Sequence, residues 1–213
     1  MIKIIIDNNE TKTAEGSSLL QACLDNGIYI PNLCHLNGED SSSASCRLCF
    51  VEIKGQDRPV TSCTVRAEAG MVISTDTPAV RQLQNSAFRL LLSTHRVDCG
   101  NCPANKRCEL QKIARFLKTD LKVKSLETIL KDQEIDETHP ILNYYPNRCV
   151  LCGRCVMACN RQNDNPVFNF ARRGIDTVIS LHRGFDSQEC ARDKCLVCVD
   201  ICPVSAITLR LET

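Results

Sequence analysis

All but one of the sixteen cysteines in this 213-residue chain fall at spacings that bring thiols together. Cys149, Cys152, Cys155 and Cys159 form a C-x2-C-x2-C-x3-C run, and Cys190, Cys195, Cys198 and Cys202 form a second, C-x4-C-x2-C-x3-C, ending in Pro203. Nearer the start, Cys34, Cys46, Cys49 and Cys63 leave eleven, two and thirteen residues between successive members. Between these lies an H-x3-C-x2-C-x5-C pattern of His95, Cys99, Cys102 and Cys108. In a reducing compartment clustered thiols of this kind mean metal, because thiolates three residues apart converge on neighbouring metal-facing positions.

The run from Cys149 to Cys159 is the bacterial ferredoxin signature, whose fourth Cys ligates the other cluster in two-cluster ferredoxins. By that crossing rule one 4Fe-4S cluster takes Cys149, Cys152, Cys155 and Cys202, and the other takes Cys159, Cys190, Cys195 and Cys198. The wider gap between Cys190 and Cys195 departs from the signature; Cys190 is assigned because the count then closes. The set Cys34, Cys46, Cys49 and Cys63 is a variant of the plant-type 2Fe-2S pattern with a longer first gap. A structural zinc site is the alternative, and a strand-helix-strand frame favours the cluster. The set with His95 fits a 4Fe-4S cluster or a zinc site of three thiolates and one imidazole, while His95 alone also fits a residue meeting a helix dipole. A neutral imidazole replacing a thiolate would make a cluster less negative and raise its potential. Cys23, beside Leu19, Leu20 and Leu24, reads as a buried small hydrophobe.

The elements that must hold these ligands are legible in outline. Ile2 to Ile6 is β-branched and ends at Asp7-Asn8-Asn9, after which Thr11-Lys12-Thr13 returns, predicting a hairpin. Gly16-Ser17-Ser18 offers a cap for a helix through Leu24, stopped by Asn26-Gly27. Phe50 to Lys54, Arg58 to Ser62 and Met71 to Thr75 read as strands. Ala79 to Ser93 carries Val80, Leu83, Ala87, Leu90 and Leu91 at helical spacing, and Leu110, Ile113, Ala114 and Leu117 suggest another helix. Residues 118–138 read as a charged surface connection. Beyond it, Val156-Met157-Ala158 and Val199-Asp200-Ile201, each beside a Cys run, suggest an internal repeat. The expected division is 1–78, 79–140 and 141–213.

Composition excludes several functions. With 26 Lys+Arg against 25 Asp+Glu there is no basic footprint for nucleic acid. The apolar runs are too short for a membrane span. The first residues lack the apolar core of a secretory signal, so a cytoplasmic location is expected. No G-x-G-x-x-G or Walker loop offers a home to nicotinamide or flavin, and no catalytic acid, base or nucleophile is left once the Cys are used as ligands. Four loaded clusters would bring the net charge to about −6. Arg148, Arg154, Arg161, Arg172, Arg173, Arg183, Arg192 and Lys194 then read either as ordinary surface charge or as groups that offset the clusters.

Pro31-Asn32-Leu33-Cys34, Ala44-Ser45-Cys46-Arg47-Leu48-Cys49, His95 with Cys99, Cys102 and Cys108, and Cys149-Val150-Leu151-Cys152-Gly153-Arg154-Cys155 resemble one shared iron-sulfur region. It occurs at the amino terminus of the complex I large iron-sulfur subunit, iron-only hydrogenases and some formate dehydrogenases, and in the small diaphorase subunit of NAD-reducing hydrogenases. Arg172-Arg173-Gly174-Ile175-Asp176-Thr177 is similar to a loop these proteins carry between two ferredoxin halves. The resemblance implies an α+β chain: a β-grasp 2Fe-2S ferredoxin domain, a small helical domain whose 4Fe-4S cluster has one His and three Cys ligands, and a double 4Fe-4S ferredoxin domain. It further implies an electron-transfer subunit in a hetero-oligomer, working between a flavin-containing NAD(P)H-binding subunit and a hydrogenase or formate dehydrogenase catalytic subunit. A free-standing polyferredoxin carrier is the alternative. Because the sequence stops at Thr213, soon after Cys202, no hydrogen-cluster or molybdopterin domain is expected.

Overall fold

The computed structural model describes residues 1–37, 42–122, 126–162, 167–181 and 195–210. Cys190, Arg183, Arg192 and Lys194 lie outside them. Two compact units are formed, one from residues 1–90 and 115–119, the other from 91–114 and 120–213.

The first unit is built on a five-stranded sheet in the order β2-β1-β5-β3-β4. Strands β1 (Ile2–Ile6) and β2 (Asn9–Thr13) pair antiparallel, with Ile2 opposite Thr13 and Ile6 opposite Asn9. Asp7 and Asn8 both take positive φ, 47° and 68°, the conformation a two-residue hairpin loop demands. The expected hairpin is therefore present. Strand β5 (Val72–Ser74) lies parallel to β1 and antiparallel to β3 (Phe50–Ile53), which pairs with the short β4 (Val60–Thr61). Both carboxylate oxygens of Asp7 accept from Thr75, its N–H at 2.8 Å and its hydroxyl at 2.5 Å, pinning the end of β1 to that of β5.

Helix α1 (Leu19–Asp25) starts where Ser18 Oγ accepts the Gln21 N–H at 3.1 Å, a serine N-cap. Its Leu19, Leu20, Ala22 and Cys23 share one core with Ile4 and Ile6 of β1, Val51 and Ile53 of β3 and Ile73 of β5. The period of two in the strands meets the helical period on that face. Cys23 is buried in this core, and burial pushes its thiol up to about 12, as fits an inert apolar packer.

Helix α2 (Pro78–Ser93) has Pro at its first position and Thr77 Oγ1 accepting the Val80 N–H. Its buried stripe is Val80, Gln84, Phe88 and Leu92, whereas Leu90, expected inside, is 63% exposed. Gln84 hides the stripe from a hydropathy reading, and it is tolerated inside because its amide donates to the Phe50 carbonyl at 3.3 Å. Helix α3 (Glu109–Leu117) buries Leu110, Ile113, Ala114 and Leu117, as the spacing predicts.

In the second unit, β6 (Leu142–Tyr144) pairs antiparallel with β9 (Ile207–Leu209), joining segments more than sixty residues apart. Strands β7 (Phe168–Ala171) and β8 (Val178–Leu181) form a second antiparallel pair around the Arg172 to Thr177 loop. Helices α4 (Arg154–Gln162) and α5 (Val197–Asp200), one beside each ferredoxin-type run, pack on each other. The described part of 118–138 is mostly exposed and free of strand or helix, as expected of a connection.

Candidate metal centres

Three loops deliver the first ligand set. Cys34 follows Pro31-Asn32-Leu33, Cys46 and Cys49 flank a loop turned by Arg47 at φ 52°, and Cys63 sits in a 3-10 turn, Ser62–Thr64. That turn is anchored by Ser62, whose N–H and Oγ–H both donate to the Cys49 carbonyl at 2.8 Å. The sulfurs of Cys34 and Cys46 are 3.5 Å apart, and Cys63 is near enough to Cys34 and Cys49 for both to shift its thiol. All four residues are at most 5% exposed. The hydrogen bond to Cys34, and then burial, push Cys46 up; contacts with Cys34 and Cys49 push Cys63 up. Four buried thiols so close cannot all ionise in apolar surroundings unless a cation joins them.

In the second set, Cys99 opens a 3-10 turn, Cys99–Asn101, that carries Cys102, while Cys108 precedes α3. Burial pushes the Cys108 thiol up, with the charges of Cys102 and Cys99 adding to the shift, so the three thiols form one electrostatic group. His95 Nδ1 lies 2.9 Å from the carbonyl oxygen of Arg148. A carbonyl only accepts, so Nδ1 carries the proton and the Nε2 lone pair is left to bind metal. Burial holds the ring below its ordinary pKa, which favours the same neutral tautomer.

The structure brings Cys149, Cys152 and Cys155 together with Cys202, the residue expected as their crossed fourth ligand. These four line one cavity with Tyr144 and Ile179. The chain turns inside the triplet through Leu151 at φ 50° and Gly153 at φ 77°. Burial, with the charge of Cys202 adding to it, pushes Cys149 up to about 11 and Cys152 up to about 12. Against this, Cys149 Sγ accepts the Leu151 N–H at 3.4 Å and Cys202 Sγ the Ala206 N–H at 3.2 Å. Tyr144 lines the same cavity, its Oη accepting the Ile179 N–H at 3.2 Å. A thiol-lined cavity whose sulfurs receive N–H groups suits an iron-sulfur cluster, because soft thiolates bind iron and outer-shell donors stabilise their charge.

Of the fourth set, Cys159 stands one turn after Cys155 on α4, its Sγ accepting the Val167 N–H at 3.3 Å. Cys198 is buried on α5, and Cys195 is half-buried just before it. The assigned Cys190 is outside the described residues. Among the described residues no three His, Cys, Asp or Glu side chains close on a point that one metal ion could take. A cluster spreads its ligands over several irons and requires no such point.

Sequence reasoning misses Tyr144, whose place at the thiol-lined cavity depends on the long-range β6–β9 pairing. It also misses the Arg148 carbonyl that orients His95, since any residue supplies a carbonyl and no side-chain type betrays it.

The 2Fe-2S iron-sulfur cluster binding domain matches residues 1–78 and the NADH-ubiquinone oxidoreductase-G iron-sulfur binding region matches 84–120. A G-type subunit of the NADH-quinone oxidoreductase of Rhizobium meliloti (strain 1021) is 32% identical over 97% of this chain. The corresponding G-type subunit of Rickettsia prowazekii (strain Madrid E) is 32% identical over 99%. The chain spans 24% and 30% of the length of these two relatives. The alpha subunit of the NADPH-Fe(3+) oxidoreductase of Geobacter sulfurreducens (strain DL-1 / KN400) is 29% identical over 97% of the chain, which covers 24% of that protein. A chain in the crystal structure of NAD+-reducing [NiFe]-hydrogenase in the H2-reduced state superposes with a TM-score of 0.85 at 27% identity, over 98% of this chain and 87% of that one. Nearly the whole chain is thus similar to about a quarter to a third of G-type subunits of NADH-quinone oxidoreductase, and to most of a chain of NAD+-reducing [NiFe]-hydrogenase.

Proposed function

We propose that the chain is an electron-transfer subunit, relaying single electrons between an NAD(P)H-linked flavoprotein subunit and a catalytic partner such as a hydrogenase. The observation that carries this reading is the gathering of Cys149, Cys152, Cys155 and Cys202 around one cavity, in a chain that matches a NAD+-reducing hydrogenase chain over nearly its whole length. When bound, iron-sulfur clusters supply one-electron chemistry; the protein's part is to fix their ligands, hydrogen bonds and burial. One 2Fe-2S cluster would be held by Cys34, Cys46, Cys49 and Cys63, in a β-grasp segment, 1–78, supported by the five-stranded sheet and α1. A 4Fe-4S cluster would be held by His95, Cys99, Cys102 and Cys108 in 79–140. Two more would occupy 141–213, on the crossed sets Cys149, Cys152, Cys155, Cys202 and Cys159, Cys190, Cys195, Cys198. Among the described residues no helix is long and apolar enough to cross a membrane. A cytoplasmic hetero-oligomer accords with that and with the likenesses above. A formate dehydrogenase is a further candidate for the catalytic partner.

The test is anaerobic purification from the native host, with iron and sulfide assayed and co-purifying chains identified by mass spectrometry. About 14 iron atoms per chain are expected, with a flavoprotein and a hydrogenase or dehydrogenase attached. Full iron without partners would turn the reading to a free carrier, and zinc in place of iron would overturn it.

A further inference from the structure

We infer that Ser42 is a positioning residue for electron transfer: its hydroxyl donates a hydrogen bond to Cys34 Sγ and thereby raises the reduction potential of the cluster held by Cys34, Cys46, Cys49 and Cys63. The inference rests on the assignment of those four residues to one 2Fe-2S cluster.

Ser42 Oγ lies 3.6 Å from Cys34 Sγ, a hydrogen-bond length for sulfur, which is a larger atom than oxygen. Between a hydroxyl and a thiol either atom could give the proton. A ligating Cys34 is a thiolate and has none to give, so the bond then runs one way, from serine to sulfur. Ser42 Oγ also accepts the Ala44 N–H at 3.5 Å, from a backbone turned at φ 49°. That amide takes an oxygen lone pair and leaves the hydroxyl proton for the sulfur. The acceptor is secluded, since Cys34 is 1% exposed and its sulfur is 3.5 Å from that of Cys46. The neighbouring Ser43 and Ser45 are exposed instead, with their hydroxyls 3.3 Å apart.

The direction of the effect follows from charge. Adding one electron makes the thiolate-cluster unit more negative, so a donor aimed at a ligand sulfur stabilises the reduced state more than the oxidised one. Around a buried sulfur that difference is larger than in solvent. The proton stays on the serine oxygen throughout; only the electron, supplied by the partner or in a titration by dithionite, changes place.

The experiment is a mediated redox titration of the anaerobically purified, iron-loaded full chain, followed by EPR, comparing the native protein with Ser42→Ala. The 2Fe-2S midpoint should fall, so that the ratio of reduced to oxidised cluster at a fixed potential drops severalfold, while the 4Fe-4S signals stay in place. Ser42→Thr keeps a hydroxyl and should restore most of the shift, which a loss of loop packing would not allow. Ser43→Ala, one residue along, should move nothing. Pulsed EPR of the reduced cluster in D2O should show a deuteron coupling that Ser42→Ala removes and Ser42→Thr retains. If Ser42→Ala does not load its cluster, Ser42→Gly decides, with the same fall expected. A midpoint unmoved without the hydroxyl, a fall in Ser42→Thr as large as in Ser42→Ala, or a shift shared by the 4Fe-4S signals overturns the inference while leaving the cluster assignment standing. So does a native protein without the deuteron coupling, whichever variants load. A native chain with no 2Fe-2S signal overturns the assignment and the inference with it.

Discussion

Arg154 enters α4 beside Cys152, with its Nε buried and without a hydrogen-bond partner among the described residues. Its charge already favours the Cys152 thiolate. A unit charge within about 10 Å, at an effective dielectric near 20, is worth on the order of 1–2 kcal/mol, which for one electron is tens of millivolts. Arg154→Gln should therefore lower the midpoint of one 4Fe-4S signal by that order in an EPR-monitored titration; an unmoved midpoint would make Arg154 ordinary surface charge. His139 offers a different test. It is 3% exposed, and its Nδ1 accepts the Ile141 N–H at 3.2 Å, so the proton sits on Nε2, which has no partner among the described residues. Burial first, and then the charge of Arg210, lower its pKa, with Asp136 lining the same small cavity. A histidine held below its unfolded value leaves stability intact above that value. As pH falls through about 6.5, the unfolded chain takes up the proton first and stability is lost until the folded group titrates as well. His139→Asn keeps an acceptor for Ile141 but cannot titrate. Its melting temperature should fall less than the native one between pH 7.5 and 5.5, and equal falls would count against the account.

At the scale of elements, the ligand loops depend on backbone turned the left-handed way. Gly153, at φ 77°, lets Cys152 and Cys155 face one cavity, and a Cβ there would meet Phe170 Cζ at 3.3 Å. Gly153→Ala should cost about 1 kcal/mol or more in backbone strain, seen as a melting temperature lower by several degrees and reduced iron content. Gly100→Ala is the control, since its Cβ would meet nothing within 4 Å. Local signals make much of the frame readable from sequence. The Asp7-Asn8 turn, the Ser18 cap and the α3 stripe each follow from a few adjacent residues. The buried face of α2 escapes a hydropathy reading because Gln84 occupies a core position through a hydrogen bond that hydropathy does not register. Strand β4 is shorter than Arg58 to Ser62 because the chain must leave the sheet at Ser62 to form the turn presenting Cys63. The β6–β9 pairing leaves almost no local pattern, because its three-residue strands are too short to show a period and lie more than sixty residues apart. The position of Tyr144 is hidden with it. The proposed metal ligands stand out for the opposite reason, since thiol spacing can be read directly from the sequence.

The proposed ligands are divided unequally over the two units. Cys34, Cys46, Cys49 and Cys63 all lie in the unit of residues 1–90 and 115–119, while His95, Cys99, Cys102, Cys108 and the later ligands lie in the other. The first unit has an apolar core joining α1 to three strands, sufficient to shape its loops independently of the other ligand sets. Among the described residues of the second unit both sheets are two-stranded, and such pairs are marginal by themselves in water. There, bound metal would carry more of the folding free energy, as in other small metal-dependent domains. Cys99→Ala should then abolish one 4Fe-4S EPR signal, cutting iron by about 4 atoms per chain, while the 2Fe-2S signal keeps its shape and intensity. Because the damaged site shares its unit with the sets of Cys149 and Cys159, their signals should broaden or weaken before the 2Fe-2S signal does on warming. Joint loss of the 2Fe-2S and 4Fe-4S signals would mean that the sheet of the first unit cannot hold its cluster loops unless the second unit is loaded.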